Sequence, residues 1–130
     1  MIADTSFLID IMANEPSAVR KASEIESRGL PISVGAPTIF ELYVGVALGE
    51  RAEAERRKVT AIVASLPQLP LDSKSARVGG IIYAEKSKAG SKIDPEDAMI
   101  AGIAKVAGET IITRNVKHFS DVEGVTTETY

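Results

Sequence analysis

The order of apolar and polar positions divides the chain into short apolar runs and longer segments with helical periodicity. The short runs predict strands at residues 2–3, 32–34, 110–113 and 125–127. Apolar residues that recur every three or four positions predict helices at residues 5–12, 17–28, 38–48, 50–66, 73–90 and 94–108. Asp72 or Ser73 is expected to cap the fifth of these helices, which ends near Gly90.

This alternation of strands and helices favours a parallel sheet covered by helices, in a three-layer α/β/α sandwich. The 130 residues are near the usual size of one domain, and 45% of them are hydrophobic, which is enough to bury a core. We therefore expect a single α/β domain over residues 1–130. In such a sheet the reactive side chains gather at the carboxyl ends of the strands.

The composition excludes several kinds of chemistry. The chain has no cysteine and a single histidine, His118, which excludes disulfides, a Cys nucleophile and Cys- or His-rich metal sites. A net charge of −3 argues against nucleic-acid binding through bulk positive charge, although local basic patches remain possible. No apolar stretch reaches membrane-spanning length and nothing resembles a signal peptide, so we expect a cytoplasmic protein without membrane contact.

Asp4 ends the first predicted strand and precedes a helix. It could cap that helix, but Thr5 and Ser6 would serve equally well as caps. The carboxyl edge of a central strand is also where ligands and metal ions are held, so position alone leaves both interpretations open.

Glu41 is the only charged residue in the apolar helix 38–48, which is expected to be buried because it is apolar on nearly every side. A buried carboxylate needs a partner, because removing the charge from water otherwise costs several kcal/mol. An ion pair with an Arg or Lys would provide one, but a functional carboxylate that binds a cation is the favoured interpretation.

Asp94 and Asp97 lie at the start of the predicted helix 94–108. Asp94 followed by Pro95 is typical of an N-cap and first helical position, which accounts for Asp94. Asp97 shares the inward face of that helix with the apolar residues one turn further along, whereas Glu96 lies on the exposed side and suits the helix dipole. Asp97 is therefore the functional candidate of this segment.

Thr113, Arg114 and Asn115 leave the strand at residues 110–113. If the strands are parallel, Thr113 and Asn115 lie at the same sheet edge as Asp4. An Asn at a strand exit is also common in ordinary turns, so this segment alone is weak.

Carboxylates that converge on one edge stay ionised together only if a cation lies between them. Without His or Cys ligands, an all-oxygen site favours Mg²⁺ or Mn²⁺ over zinc. Mg²⁺ keeps several waters and is usually completed by phosphate oxygens, which pairs such a site with phosphodiester chemistry.

Four segments, in this order and spacing, resemble the PIN-domain ribonucleases of the VapC toxin type, which occur in prokaryotic toxin–antitoxin pairs. They are residues 4–10 (DTSFLID), 41–46 (ELYVGV), 97–101 (DAMIA) and 113–119 (TRNVKHF). The resemblance covers essentially the whole chain. It implies a PIN-like fold and an acidic site for Mg²⁺ or Mn²⁺.

By motif match, the conserved acids of that family correspond to Asp4, Glu41 and Asp97. Thr5 or Ser6 occupies a position that helps to orient metal-bound water or a phosphate. Many members carry a further Asp near the Thr-x-Asn segment, where this chain has Asn115. Asn115 can still offer an oxygen or hold a water.

The mechanism implied is metal-assisted hydrolysis of RNA, with Asp4 and Asp97 on the metal and Glu41 on a second ion or on the attacking water. His118 could help late in the reaction, but we favour an ordinary surface histidine. Whether one metal or two are used stays open.

Arg114 and Lys117 lie beside the acidic edge and could contact phosphates, as could the lysines of residues 86–92, although ordinary solvated lysines explain them equally well. The resemblance implies an RNA substrate, a homodimer and an antitoxin partner that covers the acidic groove. Tyr43, Val44 and Leu48 suit a helix-mediated dimer, and burial within the monomer explains them equally well.

Two other classes of protein remain as alternatives. A catalytically degenerate binding module of the same fold is supported by Asn115 in place of an acid. A phospho-acceptor signalling domain also uses a strand-end Asp and Mg²⁺, but it calls for adjacent acids early in the chain and a strand-end Lys late in it. Both rank below the nuclease.

Overall fold

The computed structural model describes all residues from Met1 to Tyr130. The strands are β1 (Ile2–Ala3), β2 (Ser33–Gly35), β3 (Gln68–Leu69), β4 (Ile111–Ile112) and β5 (Thr127–Glu128). The helices are α1 (Thr5–Met12), α2 (Pro16–Ser27), α3 (Ala36–Leu48), α4 (Ala52–Ser65), α5 (Ser73–Lys88) and α6 (Pro95–Ala107), and a short 3₁₀ turn covers Val116–His118. None of the helices is long and apolar enough to cross a membrane.

The five strands form one parallel sheet in the order β3-β2-β1-β4-β5. The predicted α/β class with a central parallel sheet is confirmed. The short apolar runs of the sequence predict four of these strands but not β3. Its two residues lie between Pro67 and Pro70 at the edge of the sheet, where proline is tolerated but conceals the strand pattern.

The sheet separates two hydrophobic cores because successive residues of a strand point to opposite faces. Ala3 and Ile112 belong to the core under α1–α4, whereas their neighbours Ile2 and Ile111 belong to the core under α5 and α6. All four side chains are fully buried. This division makes the three layers of the predicted sandwich.

The helix ends follow ordinary capping chemistry. Asp4 and Asp72 accept hydrogen bonds from the backbone N–H three residues ahead, at the starts of α1 and α5. Pro95 occupies the first position of α6, and Gly108 ends that helix with a φ of 67°, in the left-handed region that glycine tolerates. Of these ends, the starts of α1 and α6 lie at the carboxyl edge of the sheet.

Helix α3 is not buried on all sides, contrary to the prediction from its apolar sequence. Thr38, Leu42 and Val46 face the interior, but Phe40 is 62% exposed and Leu48 is 83% exposed. The helix packs mainly against α4 and α6, with smaller contacts to α1 and β2. Its opposite face presents apolar side chains to the surroundings, which is the expected appearance of a contact surface.

The strand order of the sheet indicates where a ligand site is expected. Chain order runs outward from β1 in both directions, through β2 and β3 on one side and β4 and β5 on the other. The crevice at such a switch point, beyond the carboxyl ends of the strands, is where open α/β sheets bind ligands. Ala3 pairs with Ile112, so the residues that follow them, Asp4 and Thr113, lie side by side there.

Candidate active site

Asp4 caps α1, one of the two roles that the sequence left open, and it lies at the carboxyl end of β1. Its Oδ1 accepts hydrogen bonds from the Phe7 backbone N–H (2.9 Å), which caps α1, and from Ser6 Oγ (2.8 Å). Its Oδ2 accepts a hydrogen bond from Thr113 Oγ1. The residue is only 4% exposed. Four hydrogen-bond sites are available on a carboxylate and three are filled, so the group is rigidly oriented at the sheet edge.

Glu41 projects from α3 toward the same edge. Thr5 Oγ1 donates to its Oε1 at 2.9 Å, which ties α3 to the first residue of α1. The side chain is half-buried rather than fully buried, and no Arg or Lys pairs with it, so the ion-pair interpretation of this residue is wrong. Burial raises the pKa of Glu41 above its ordinary value of 4.5, and nearby Asp97, Glu96 and Asp4 raise it further by repulsion.

Asp97 points inward from the first turn of α6, as its helical face predicts. Its neighbours on that face, Ile100, Ala101 and Ala104, are buried against the sheet. Burial raises the pKa of Asp97, and repulsion from Asp94 and Asp4 adds to the effect. The charge and hydrogen bond of His118 act in the opposite direction.

The pKa shifts place the three predicted acids within electrostatic range of one another. Asp4 raises the pKa values of both Glu41 and Asp97, and Asp97 raises that of Glu41. Such mutual repulsion arises between carboxylates that lie near one another at the same edge of the sheet. A cation placed among them would relieve that repulsion.

Two further acids stand at the rim of the site. Asp94 precedes α6, but its side chain makes no capping hydrogen bond, so capping does not account for it. Glu96 is partly buried and acts on Glu41, whereas the sequence placed it on the exposed side of α6. The acidic character of the edge is therefore greater than the three matched acids suggest.

Thr113 and Ser6 form the floor of the site. Thr113 is fully buried, donates to Asp4 and accepts the Asn115 backbone N–H at 2.9 Å. The Arg114 backbone N–H approaches Ser6 Oγ at 3.3 Å. The exit of β4 is thereby fastened to the start of α1, and Asn115 follows with a φ of −102°, outside the left-handed region.

Arg114 and Lys117 differ in their surroundings. The Arg114 guanidinium is half-exposed and pairs with the buried carboxylate of Asp10 at 3.0 Å. Tyr130 Oη donates to the same carboxylate at 2.7 Å, and its ring packs edge-on against Phe7. Lys117 is exposed. Arg114 therefore has a structural partner, while Lys117 is free to contact a ligand.

Sequence reasoning missed two features of this region. Asp10 was given no role, although an Asp in the middle of the apolar helix α1 indicates a paired or hydrogen-bonded carboxylate. His118 was taken as an ordinary surface histidine, but its Nδ1 lies 2.9 Å from Asp97 Oδ2. That contact joins residues 21 positions apart, so no local pattern could have revealed it.

The donors at this edge are all oxygens, apart from the imidazole of His118. No group of three or more His, Asp or Glu side chains is positioned to contact one ion together. Mg²⁺ fits such a site because it is usually held by one or two carboxylates and keeps several of its waters. The inward, mutually repelling Glu41 and Asp97 beside Asp4 therefore suit a hydrated divalent cation.

The sequence matches the PIN domain family over residues 1–125, so the chain belongs to that family. It is similar to the tRNA(fMet)-specific endonuclease VapC of Shigella flexneri, with 31% identity over 96% of this chain and 93% of the relative. Ribonuclease VapC19 of Mycobacterium tuberculosis is 30% identical over 91% of this chain and 90% of the relative. The resemblance to VapC ribonucleases that the four segments indicated is confirmed.

Solved structures agree with this assignment. DNA-bound VapBC of Salmonella typhimurium matches with a TM-score of 0.86 and 26% identity, over 98% of this chain and 96% of that chain. VapBC2 of Rickettsia felis, bound to a DNA fragment from its promoter, has a TM-score of 0.88 over 99% and 97% of the two chains. At 20% identity the latter supports the fold alone.

Proposed function

We propose that this protein is a divalent-metal-dependent endoribonuclease and the toxin of a toxin–antitoxin pair. The observation that carries the proposal is the convergence of Glu41 and Asp97 on Asp4 at the switch point of the sheet. The curated relatives at 30% identity or more are named as nucleases, which supports the same chemistry. The substrate class is RNA, as it is in the names of those relatives.

Asp4, Glu41 and Asp97 would hold a hydrated Mg²⁺ or Mn²⁺, one or two of them by direct contact and the remainder through waters of the ion. When bound, such an ion lowers the pKa of a coordinated water and neutralises charge on the scissile phosphate. The protein contributes the orientation: Ser6, Thr113 and the Phe7 N–H hold the Asp4 carboxylate, and Thr5 holds one oxygen of Glu41.

Glu41 is the best-placed proton acceptor. Thr5 occupies only Oε1, so Oε2 has no hydrogen-bond partner. Oε2 can take a proton from the attacking water. Asn115 can offer an oxygen beside it, and Lys117, together with the exposed edge of Arg114, supplies positive charge for the phosphates.

Cleavage of a mixed RNA pool tests this function. We expect the wild-type chain to cut RNA with Mg²⁺ or Mn²⁺ and to stop when EDTA is added. Asp4→Asn and Glu41→Gln should each lower the rate at least about 100-fold, because each removes a carboxylate charge from the site.

Glu26→Gln is the matched control, because Glu26 is exposed on α2, away from the sheet edge, and should leave the rate unchanged. Cutting that survives both site substitutions would indicate a contaminating nuclease and contradict the proposed site. A chain that does not cut RNA and does not bind metal by calorimetry would favour a degenerate binding module.

An antitoxin protein is the second partner we propose. Structures of the same fold are described as a member of the VapBC family of toxin–antitoxin systems and as a toxin–antitoxin complex, and the acidic edge of this chain offers a surface that a basic segment would neutralise. Such a partner would occupy the position of the phosphate and suppress cleavage. We place both proteins in the cytoplasm, where RNA is available.

A homodimer is proposed on the exposed apolar face of α3. Phe40, Val44 and Leu48 recur at four-residue intervals, so they line one side of the helix, and Tyr43 lies beside them. Four exposed large apolar side chains on three turns form a patch that water solvates poorly.

The double substitution Phe40→Glu and Val44→Glu should convert a dimer into a monomer, because it would place four like charges on a two-fold interface. Sedimentation equilibrium measures the change in mass. Val19→Glu, on the exposed surface of α2, is the control and should leave the dimer intact. A wild-type chain that sediments as a monomer at high micromolar concentration would contradict the proposal.

A further inference from the structure

His118 lies at the end of the 3₁₀ turn that follows β4, and its ring reaches across to α6. Its Nδ1 is 2.9 Å from Oδ2 of Asp97, and its side chain is about half exposed. Phe119, the next residue, is buried in the core on that side of the sheet. The backbone that carries the histidine is therefore anchored, although the ring itself is near the surface.

The direction of this hydrogen bond follows from the chemistry of its partners. An ionised carboxylate only accepts hydrogen bonds, so Nδ1 of His118 carries the hydrogen and donates this bond to Asp97. No other side chain donates to Asp97, and the bond occupies Oδ2 alone. Oδ1 is left for another ligand, and the rotation of the carboxylate is restricted.

Each of the three converging acids has such a partner. Asp4 is held by Ser6 and Thr113, and Glu41 is held by Thr5. Side chains that hydrogen-bond a metal-ligating carboxylate fix its orientation, and their removal typically lowers metal affinity 10- to 100-fold. For Asp97 the side chain that makes this orienting hydrogen bond is His118.

We infer that His118 is a positioning residue for Asp97: its Nδ1–H fixes Oδ2 and thereby presents Oδ1 to the divalent cation. The inference rests on the proposed metal site and assigns a new role within it. The histidine acts through Asp97 and need not contact substrate. The segment between β4 and β5 thus contributes His118 to the site as the side chain that orients the Asp97 carboxylate.

Titration calorimetry with Mn²⁺ as the probe tests the inference without any measurement of activity. His118→Ala should weaken Mn²⁺ binding roughly 10-fold or more. His118→Asn should restore the affinity to within about threefold of wild type, because the Asn amide nitrogen can occupy the place of Nδ1. His118→Gln should remain weak, since its amide corresponds to the position of Nε2.

Ser120→Ala is the matched control. The Ser120 hydroxyl donates to the Lys117 carbonyl in the same segment, so the variant perturbs the local backbone without touching Asp97. It should bind Mn²⁺ with wild-type affinity. Thermal melts of all four variants show whether each is folded, and the exposure of His118 predicts that they are.

The possible outcomes separate this inference from the proposed function. If wild type binds Mn²⁺ and His118→Ala binds it equally well, the positioning role is wrong and the metal site stands. Tighter binding by His118→Ala would identify the histidine as a competitor for Asp97, and rescue by Gln instead of Asn would place the contact on Nε2. Either result overturns the inference. A wild-type chain that binds no Mn²⁺ would overturn both proposals.

Discussion

Glu41→Gln is expected to make the protein more stable while it lowers the cleavage rate at least about 100-fold. The wild-type carboxylate is half-buried and is repelled by Asp97, Glu96 and Asp4, whereas a neutral amide of the same size escapes both penalties. The amide oxygen can still accept the hydrogen bond from Thr5. At neutral pH without metal, we expect the melting temperature to rise by about 2–5 °C.

The stability gain should depend on pH in a defined direction. Because the folded-state pKa of Glu41 lies above its unfolded value of 4.5, the native state holds its proton more tightly than the unfolded chain does. The free energy of unfolding of wild type therefore falls as pH rises from about 4.5 through the folded-state pKa. The advantage of Glu41→Gln is absent below this window and complete above it.

Thermal melts of both chains between pH 4 and pH 8 provide the measurement. Glu26→Gln is the control and should follow wild type at every pH, because Glu26 is exposed on α2. Saturating Mg²⁺ should stabilise wild type more than Glu41→Gln and so narrow the difference. A variant that melts below wild type at pH 8 would contradict the proposed repulsion among the acids.

Gly102→Ala is expected to have the largest effect on folding. Helices α5 and α6 cross closely where Gly79 faces Ala98 and Gly102 faces Ser75. A methyl group on Gly102 would lie 2.7 Å from the Gly79 backbone nitrogen and closer still to the Ser75 carbonyl oxygen. Backbone atoms cannot rotate away, so the helices must separate.

We expect that separation to cost about 3 kcal/mol or more, at the upper end of overpacking effects. For a domain of this size the melting temperature would fall by roughly 10 °C or more. Because α6 also carries Asp97, metal affinity should fall together with stability.

Gly80→Ala is a sharp control for this prediction. Gly80 follows Gly79 directly in α5, but nothing lies within 4 Å of the methyl group that alanine would add. The substitution should stabilise the helix by about 0.5–1 kcal/mol, because alanine loses less conformational freedom on folding. Urea unfolding of Gly102→Ala and Gly80→Ala measures the free energy of unfolding of each variant. Two variants of equal stability would show that the helix crossing is not close.

Much of the fold follows from local pattern. The two-residue strands Ile2–Ala3 and Ile111–Ile112 are short apolar runs, and the helices between them begin at recognisable caps. The parallel arrangement then brings Asp4 and Thr113 together without any knowledge of side-chain contacts. The inward direction of Asp97 follows from helical periodicity alone.

The wrong or missed predictions for α3, β3 and Glu96 share one cause, which is that each depends on how elements pack together rather than on local sequence. Helix α3 has an apolar sequence, and no local rule distinguishes burial against its own chain from exposure of a contact surface. β3 has only two residues between prolines, so its pairing with β2 depends on the sheet rather than on propensity. Helical periodicity predicts that Glu96 lies on the exposed side of α6, because the pattern of one helix carries no information about α3, which packs against it.

The sequence by itself determined the α/β class and the family, and it predicted the three acids Asp4, Glu41 and Asp97, because these depend on periodicity, strand ends and motif spacing along the chain. Only the tertiary structure decided which groups orient those acids. The contacts of Thr113 with Asp4, of Thr5 with Glu41 and of His118 with Asp97 join different elements across 109, 36 and 21 positions. Such contacts arise from the packing of the elements around the sheet, which local sequence does not encode.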